Sequence, residues 1–328
     1  IRSPETRAHC YEARSAEDRA VGIGLHSRHR GDLSCASWGH MGLAWRPLDF
    51  MRLKYPISVL KTRKRSVGEK LPPEEVAEDA AACEARHVNP VQLEVCVQSP
   101  ADCLAAARGG ADRVELCQAI ELGGLTPSLS SIQAACELSP LPVIILLRPR
   151  PGDFVYSDQE IELVRRDLEQ LSRSGARGAA LGALTKEGAI DAEALETWKA
   201  ASGELELVFH RAFDSCAEPD RALSQLVDCG IQRVLTSGGA ETASQGVETL
   251  ARWRESHRDQ LEILPAGSIR PENVAALVAA TGAEQVHFRA PMSASAGAAR
   301  PALGTLDTGS HEVTDAEIVR AVRDALSQ

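Results

Sequence analysis

Two short segments of the chain place a carboxylate and a thiol two residues apart. The first reads LEVC and contains Glu94 and Cys96, and the second reads VELC and contains Glu115 and Cys117. Because side chains alternate across a β-strand, each pair would share one face of its strand, opposite the apolar residues. Thiolates select soft ions such as Cu(I). The repeat therefore makes the two cysteines candidate Cu(I) ligands, against the alternative that both are buried as small apolar residues.

Charged side chains are concentrated where further strands are predicted to end. Arg148 begins the long segment RPRPGDFVYSD, and His210, Arg211 and Asp214 lie in the segment FHRAFD. His210 could act as a general base, oriented by Asp214 or by a carboxylate across the site. Arg148 and Arg211 could clamp a carboxylate or a phosphate. These residues predict a site for a small anion.

Burial of Glu94 and Glu115 would require cationic partners. The candidates at other strand ends are Arg148, Arg150, His210 and Arg211. Such a network could be purely structural, and carboxylates satisfied in this way would not be expected to hold an oxygen-ligated metal. The Gly-rich turns TSGG and AGSI could also present backbone N–H groups to an anion.

These residues need elements to position them, and the chain becomes regular from residue 91. Short β-rich runs alternate with amphipathic stretches, a pattern typical of parallel strands joined by helices. Strands are predicted at 91–96, 112–117, 142–148, 178–182, 205–210, 232–236, 261–265 and 284–288. Helices are predicted at 99–109, 127–138, 158–174, 191–201, 219–229, 243–257, 271–280 and 314–327.

Eight strand–helix units in about 240 residues predict a (β/α)₈ TIM-like barrel. A doubly wound sheet is the alternative, since a count of units does not show closure. In a barrel the apolar strand faces meet the helices, so the faces that carry glutamate and cysteine point inward. The two cysteines would then lie at the mouth, where the strands end.

The first 88 residues differ in composition from the remainder. They carry 15 Lys or Arg against 12 Asp or Glu, a net charge of +3, whereas the remainder carries 21 against 34, or −13. Lacking sustained periodicity, residues 1–88 are predicted to be an irregular, disordered extension and linker before a barrel at 89–328. The run KTRKR at 61–65 could direct nuclear import or bind nucleic acid, but a solvated run is the simpler interpretation.

The overall composition predicts an ordinary soluble protein. Of the 328 residues 44% are hydrophobic, only 4% are aromatic, and no run of 18 apolar residues occurs. Nine cysteines without a secretory leader favour free thiols in a reducing compartment. We therefore expect a cytoplasmic protein with nuclear access left open, and neither a membrane nor a nucleic acid as partner.

Seven motifs follow one another between about residues 91 and 290. They are LEVC, GGADRVELC, LGGLTPS, LRPRPGDFVYSD, GALTKEGAID, FHRAFD and RVLTSGG. In this order and spacing they resemble the CutC family of copper homeostasis proteins. The resemblance implies a TIM-like barrel and copper binding by the cysteines that match Cys96 and Cys117.

The chain departs from the family pattern at three places. Pro151 stands where the family has glycine, and LPAGSI at 264–269 replaces a more Gly-rich turn. After the last predicted strand, His287 is followed by Phe-Arg-Ala, where the family usually continues into Ser-Ala. The resemblance therefore does not establish what strand eight contributes to a site.

Two functions are compatible with the sequence. The first is copper homeostasis, with Cu(I) bound by Cys96 and Cys117 at the barrel mouth. The alternative is a TIM-barrel enzyme that acts on a small anionic substrate, a phosphate or a carboxylate. Its catalytic residues would be among Glu94, Glu115, Arg148, His210, Arg211 and Asp214.

Removal of residues 1–88 is expected to leave the barrel folded, because this segment offers no periodic apolar face to bury. Thermal melts of the full chain and of residues 89–328 would measure the effect. Nearly equal melting temperatures are expected, and a large decrease on truncation would contradict the domain boundary.

Overall fold

The computed structural model describes residues 91–295 and 310–327. The predicted extension at 1–88, including its basic run, lies outside these residues. The strands are β1 Gln92–Val97, β2 Arg113–Leu116, β3 Val143–Leu146, β4 Gly178–Leu181, β5 Glu206–Phe209, β6 Arg233–Thr236, β7 Glu262–Pro265, β8 Gln285–Phe288, β9 Pro291–Ser295 and β10 Ser310–Thr314. The helices are α1 Pro100–Gly109, α2 Leu129–Leu138, α3 Asp158–Leu171, α4 Ala192–Ser202, α5 Pro219–Asp228, α6 Val247–His257, α7 Pro271–Thr281 and α8 Ala316–Ala325.

Strands β1 to β8 form one parallel sheet that curls into a barrel. Their order is β7-β6-β5-β4-β3-β2-β1-β8. A parallel bridge between Ala266, just after β7, and His287 in β8 joins the two ends of this order. The predicted TIM-like barrel is confirmed, and the doubly wound alternative is wrong. None of the helices in the described residues is long and apolar enough to cross a membrane.

The alternation of side chains in β1 explains how the barrel is filled. Leu93 and Val95 point outward into the apolar layer between the sheet and the helices. Cys96 points inward, into a second and smaller apolar cluster. The other members of that inner cluster are Cys117, Ile144, Leu146, Ala180, Val208, Leu235, Leu264 and Ala266.

Below this inner cluster, the barrel interior is charged. Glu94 is 1% exposed and pairs with Arg113, the residue opposite it in the β1–β2 register. On its other side, Glu94 Oε1 lies 2.7 Å from Nδ1 of His287, which is its register partner in β8. One carboxylate therefore connects three adjacent strands.

Helix α8 is hydrogen-bonded to the start of the barrel. Arg323 in α8 donates from Nη1 to the Val91 carbonyl at 2.9 Å and from Nη2 to the Gly110 carbonyl at 2.7 Å. It also pairs with Asp112, just before β2. The last helix thus covers the start of the first strand–helix unit.

The antiparallel hairpin of β9 and β10 was not predicted from the sequence. Its strands read PMSAS and SHEVT, which are mostly polar and show no clear apolar alternation. It follows β8 directly, and the pairing runs from Pro291 with Thr314 to Ser295 with Ser310.

Glu94→Gln should lower the free energy of unfolding by about 3–5 kcal/mol, because it leaves the Arg113 charge buried without its carboxylate. Urea denaturation would measure the change. Glu162→Gln, on the solvent side of α3, is the control and should be nearly silent, since exposed ion pairs contribute little. Equal effects of the two substitutions would contradict a structural role for the buried pair.

Candidate functional site

A cavity of about 430 Å³ opens at the carboxyl ends of the barrel strands. Parallel barrels gather their functional groups at this end. The side chains that line it come from seven of the eight barrel strands or from the loops that follow them. The polar ones are Cys96, Glu115, Cys117, Arg148, His210, Arg211, Ser268, Arg270, His287 and Arg289, and the larger apolar ones are Ile120, Leu146, Phe154, Leu235, Ile269 and Phe288.

The two predicted thiols meet in this cavity. Cys96 at the end of β1 and Cys117 just after β2 place their sulfurs 3.6 Å apart. Both residues are buried. The hydrogen bond with Cys117, reinforced by burial, raises the pKa of the Cys96 thiol well above its usual range. Without a metal, Cys96 is therefore held as a protonated thiol.

Two further groups that can bind a metal lie beside Cys96. The ligand atoms of Cys96, Glu115 and His287 all lie within 4.8 Å of one another. His287 Nε2 is 4.0 Å from Glu115 Oε1. The strand-eight end of the site, which the sequence left open, thus contributes an imidazole directly beside the thiol.

The electrostatic states of these groups depend on one another. Burial alone would lower the pKa of His287, but Glu115, Cys96 and Glu94 outweigh it and raise this pKa well above the usual range. Burial alone would raise the pKa of Glu94, but Arg113 and His287 lower it to about 2. Burial raises the pKa of Glu115 to about 7. A charged His287 therefore donates to an ionised Glu94.

Glu115 is the less satisfied of the two carboxylates. Its Oε2 is buried and has no hydrogen-bond partner in the described structure. The predicted neutralisation of the glutamates by Arg148, Arg150, His210 and Arg211 is wrong: those four side chains have other partners, and Glu94 takes Arg113 and His287 instead. The sequence led us to expect Arg or His partners for every carboxylate at the mouth, and Glu115 does not meet this expectation, because its Oε2 has no hydrogen-bond partner in the described structure.

Arg148 is held by a turn whose backbone conformation favours glycine. Its guanidinium donates to the carbonyls of Leu122 at 2.9 Å, Gly124 at 3.1 Å and Gly152 at 2.9 Å. Gly123 and Gly124 both have a φ of 84°, in the left-handed region that favours glycine. A Cβ on Gly124 would also lie 2.7 Å from a Leu146 methyl group. The motif LGGLTPS therefore wraps closely over Cys117 and fixes Arg148.

The tautomer of His210 follows from its hydrogen bond. The backbone N–H of Ala212 donates to His210 Nδ1 at 3.2 Å, so the ring proton is on Nε2. Nε2 has no partner in the described structure, although His210 is only 4% exposed. Burial, with Arg148 nearby, lowers the pKa of His210 to about 3. His210 is therefore a neutral hydrogen-bond donor.

Asp214 does not orient His210, and that prediction is wrong. The Asp214 carboxylate accepts from Arg211 Nε at 2.7 Å and from the Thr236 hydroxyl at 2.5 Å. It also accepts from the backbone N–H groups of Ser237 at 3.1 Å and Gly239 at 3.2 Å. The TSGG turn is thus filled by the protein's own carboxylate and does not present these two N–H groups to an outside anion.

Arg150 forms hydrogen bonds within the loop that follows β3 and does not line the cavity. Its Nε donates to Glu160 at 2.5 Å, and its Nη2 donates to the Val155 carbonyl at 2.8 Å. Glu160 also accepts from the Ser157 N–H at the start of α3, which completes a capping box. Arg150 therefore ties the loop to the helix.

Six of the predicted site residues line the cavity: Cys96, Cys117, Glu115, Arg148, His210 and Arg211. Glu94 lies one layer deeper, and Asp214 faces the turn after β6. Sequence reasoning missed the roles of Arg113 and His287. His287 is the fourth residue of the predicted strand EQVHF at 284–288, and the inward alternation of that strand was the available signal.

The fold and the cavity define a (β/α)₈ barrel with paired thiols at its mouth. The CutC family model matches residues 91–292. A CutC family protein of Xanthomonas campestris is 41% identical over 232 residues, covering 70% of this chain and 96% of the relative. One from Chromobacterium violaceum is 37% identical over 242 residues, covering 72% of this chain and 98% of the relative.

A solved structure gives the same result. CutC from Streptococcus agalactiae, provisionally named for copper homeostasis, aligns with a TM-score of 0.58 and 30% identity, covering 60% of this chain and 97% of that one. The chain belongs to the CutC family, as its motifs predicted.

The neutral state of His210 predicts a measurable pH dependence. Its folded pKa of about 3 lies below the ordinary value of 6.5, so the unfolded chain binds the extra proton first. The free energy of unfolding from this residue should fall by about 1 kcal/mol per pH unit below about pH 6.5. His210→Asn keeps an acceptor for the Ala212 N–H and should remove this dependence. Parallel slopes in urea denaturation of the two proteins across pH 4–7 would contradict the assignment.

Proposed function

We propose that this chain binds Cu(I) at the barrel mouth through Cys96 and Cys117. The observation that carries the proposal is the 3.6 Å distance between the two sulfurs inside an open cavity. Two thiolates that share one tetrahedral ion with bonds of about 2.3 Å lie about 3.7 Å apart. The pair is therefore spaced for a bent arrangement around one metal ion.

A bent arrangement leaves room for a third ligand, and His287 is the best placed. It lies with Cys96 in the group of close ligand atoms. Imidazole suits copper, whereas the carboxylate of Glu115 suits harder ions. Metal binding requires deprotonated ligands, so Cu(I) would replace the thiol protons and one imidazolium proton. A nearby glutamate with an unpartnered oxygen can accept a released proton.

The family name supports the same proposal. The Streptococcus agalactiae relative is provisionally named for copper homeostasis. The remaining described cysteines are Cys103, Cys136, Cys216 and Cys229, and they lie in helices or at helix ends, away from the cavity lining. Free thiols and Cu(I) chemistry favour the reducing cytoplasm as the compartment of this function.

The reduced protein is expected to bind about one Cu(I) ion, measured by competition with a chromophoric Cu(I) chelator under anaerobic conditions. Cys96→Ser and Cys117→Ser should each weaken binding at least about hundredfold, because each removes a soft ligand. Cys229→Ser is the matched control and should bind as the wild type does. His287→Gln tests the third ligand and should weaken binding less than either cysteine substitution.

Unchanged stoichiometry and affinity in the Cys96→Ser/Cys117→Ser double variant would overturn the proposal. Equal weakening by Cys229→Ser would also overturn it, since that would point to general loss of structure.

A second candidate is an enzyme that acts on a small anion in the same cavity. The observation that favours it is His210, whose neutral N–H donor is buried at a strand end without a partner. Buried polar groups that lack partners are uncommon in proteins. In this function His210 would polarise a substrate oxygen, since its fixed tautomer and low pKa oppose the role of general base.

A further inference from the structure

The cavity has two chemically different walls. The wall formed by β1, β2 and β8 carries the thiols, Glu115 and His287. The wall formed by the ends of β3 and β5 carries Arg148 and His210. The second wall presents hydrogen-bond donors only, because an arginine and an Nε2-protonated histidine offer the cavity no acceptor. We call this second wall, consisting of Arg148, Phe154 and His210, the donor wall.

Arg148 brings a buried charge to the donor wall. The residue is 7% exposed and makes no ion pair with a carboxylate in the described part of the chain. Three backbone carbonyls hold its Nη atoms, and Tyr156 lies beside it. Carbonyl dipoles orient a guanidinium but do not neutralise it, and buried charges are normally paired. The Arg148 charge therefore lacks an anionic partner in the described structure.

Phe154 joins the two donors into one surface. The Arg148 guanidinium carbon lies 5.2 Å from the centre of the Phe154 ring, and the His210 ring lies 5.2 Å from the same ring, centre to centre. Gly182 allows His210 this position, because a Cβ there would lie 2.7 Å from Nδ1. An aromatic face between two N–H donors suits a ligand with an anionic end and an apolar body.

We propose that the donor wall binds the carboxylate of a small organic acid, which accepts from His210 Nε2 and balances the Arg148 charge. The apolar body of the acid rests between Phe154 and the inner leucines Leu146 and Leu235. The proposal goes beyond Cu(I) binding and does not depend on it, since the donor wall contains neither thiol. It names the ligand class that the enzyme alternative leaves open.

A carboxylate fits better than a phosphate. The turn after β6, where a barrel could hold a phosphate, is filled by Asp214, which takes the N–H groups of Ser237 and Gly239. The donor wall supplies one neutral donor and one guanidinium, which matches the single charge of a carboxylate. Phosphate carries nearly two charges and needs more donors than this wall offers.

The test compares two isosteric probes, butanoate and butanamide, on the metal-free, reduced, full-length protein. Titration calorimetry should show saturable binding of butanoate and at least about tenfold weaker binding of butanamide, because only butanoate pairs with the buried guanidinium. Side-chain ¹⁵N NMR should show the Nε2-protonated tautomer of His210 and a shift of its signal on addition of butanoate.

His210→Asn removes the Nε2–H but keeps the acceptor for the Ala212 N–H, so it should fold and weaken butanoate binding about tenfold. Arg148→Gln should abolish preference for butanoate over butanamide. Arg166→Gln, on the exposed face of α3, is the matched control and should bind as the wild type does. The NMR shift supplies a readout that needs no variant.

Three results would overturn the proposal. They are absence of saturable butanoate binding, equal affinities for butanoate and butanamide, and wild-type affinity of His210→Asn with an unmoved Nε2 signal. Inorganic phosphate that binds more tightly than butanoate and shifts the same signal would overturn the assignment to a carboxylate. Since no copper is present, failure here leaves the Cu(I) proposal untouched.

Discussion

The carboxylate of Glu94 is the group on which the interior of the barrel depends. It lies at 1% exposure among three strands, and it is tolerated there because Arg113 and His287 face it from either side. The same contact fixes the imidazole of His287 beside Cys96 and Glu115. A buried ion pair is weak evidence for net stability, but removing one partner is costly. The Glu94 carboxylate, which lies below the cavity, therefore sets the orientation of the His287 imidazole that lines it.

Much of the fold could be predicted from the sequence, because alternation of strands and helices is a local signal. All eight barrel strands, and the eight α-helices in the part of the chain that the structure describes, lie where the periodicity places them, within a few residues at their ends. Closure of the barrel, in contrast, cannot be predicted from a local pattern. It depends on the pairing of β1 with β8, which lies almost two hundred residues later in the chain, and no short segment of the sequence indicates that pairing. The hairpin of β9 and β10 was missed because its strands lack apolar alternation.

For the candidate site, the sequence predicted which side chains share a strand face but not which charged groups pair with each other. The face shared by Glu94 and Cys96 follows from strand geometry, and so does the meeting of Cys96 with Cys117. The partners of each charge could not be predicted, because register decides them. Arg113 faces Glu94 only because β2 is displaced along β1 by the observed amount. Likewise, the Asp214 carboxylate does not bind His210, because it accepts hydrogen bonds from Thr236 and Ser237 in the TSGG turn.

The contact of Arg323 with Val91 and Gly110 has a consequence for synthesis of the chain. Strand β1 lacks its β8 neighbour and the covering helix α8 until residues 285–325 have left the ribosome. Contacts of such sequence separation form late and slowly, because loop closure costs entropy before they form. Until then the apolar faces of β1 and α1 stay open to chaperones and to aggregation. A nascent chain stalled before α8 would therefore be a client of the quality-control machinery.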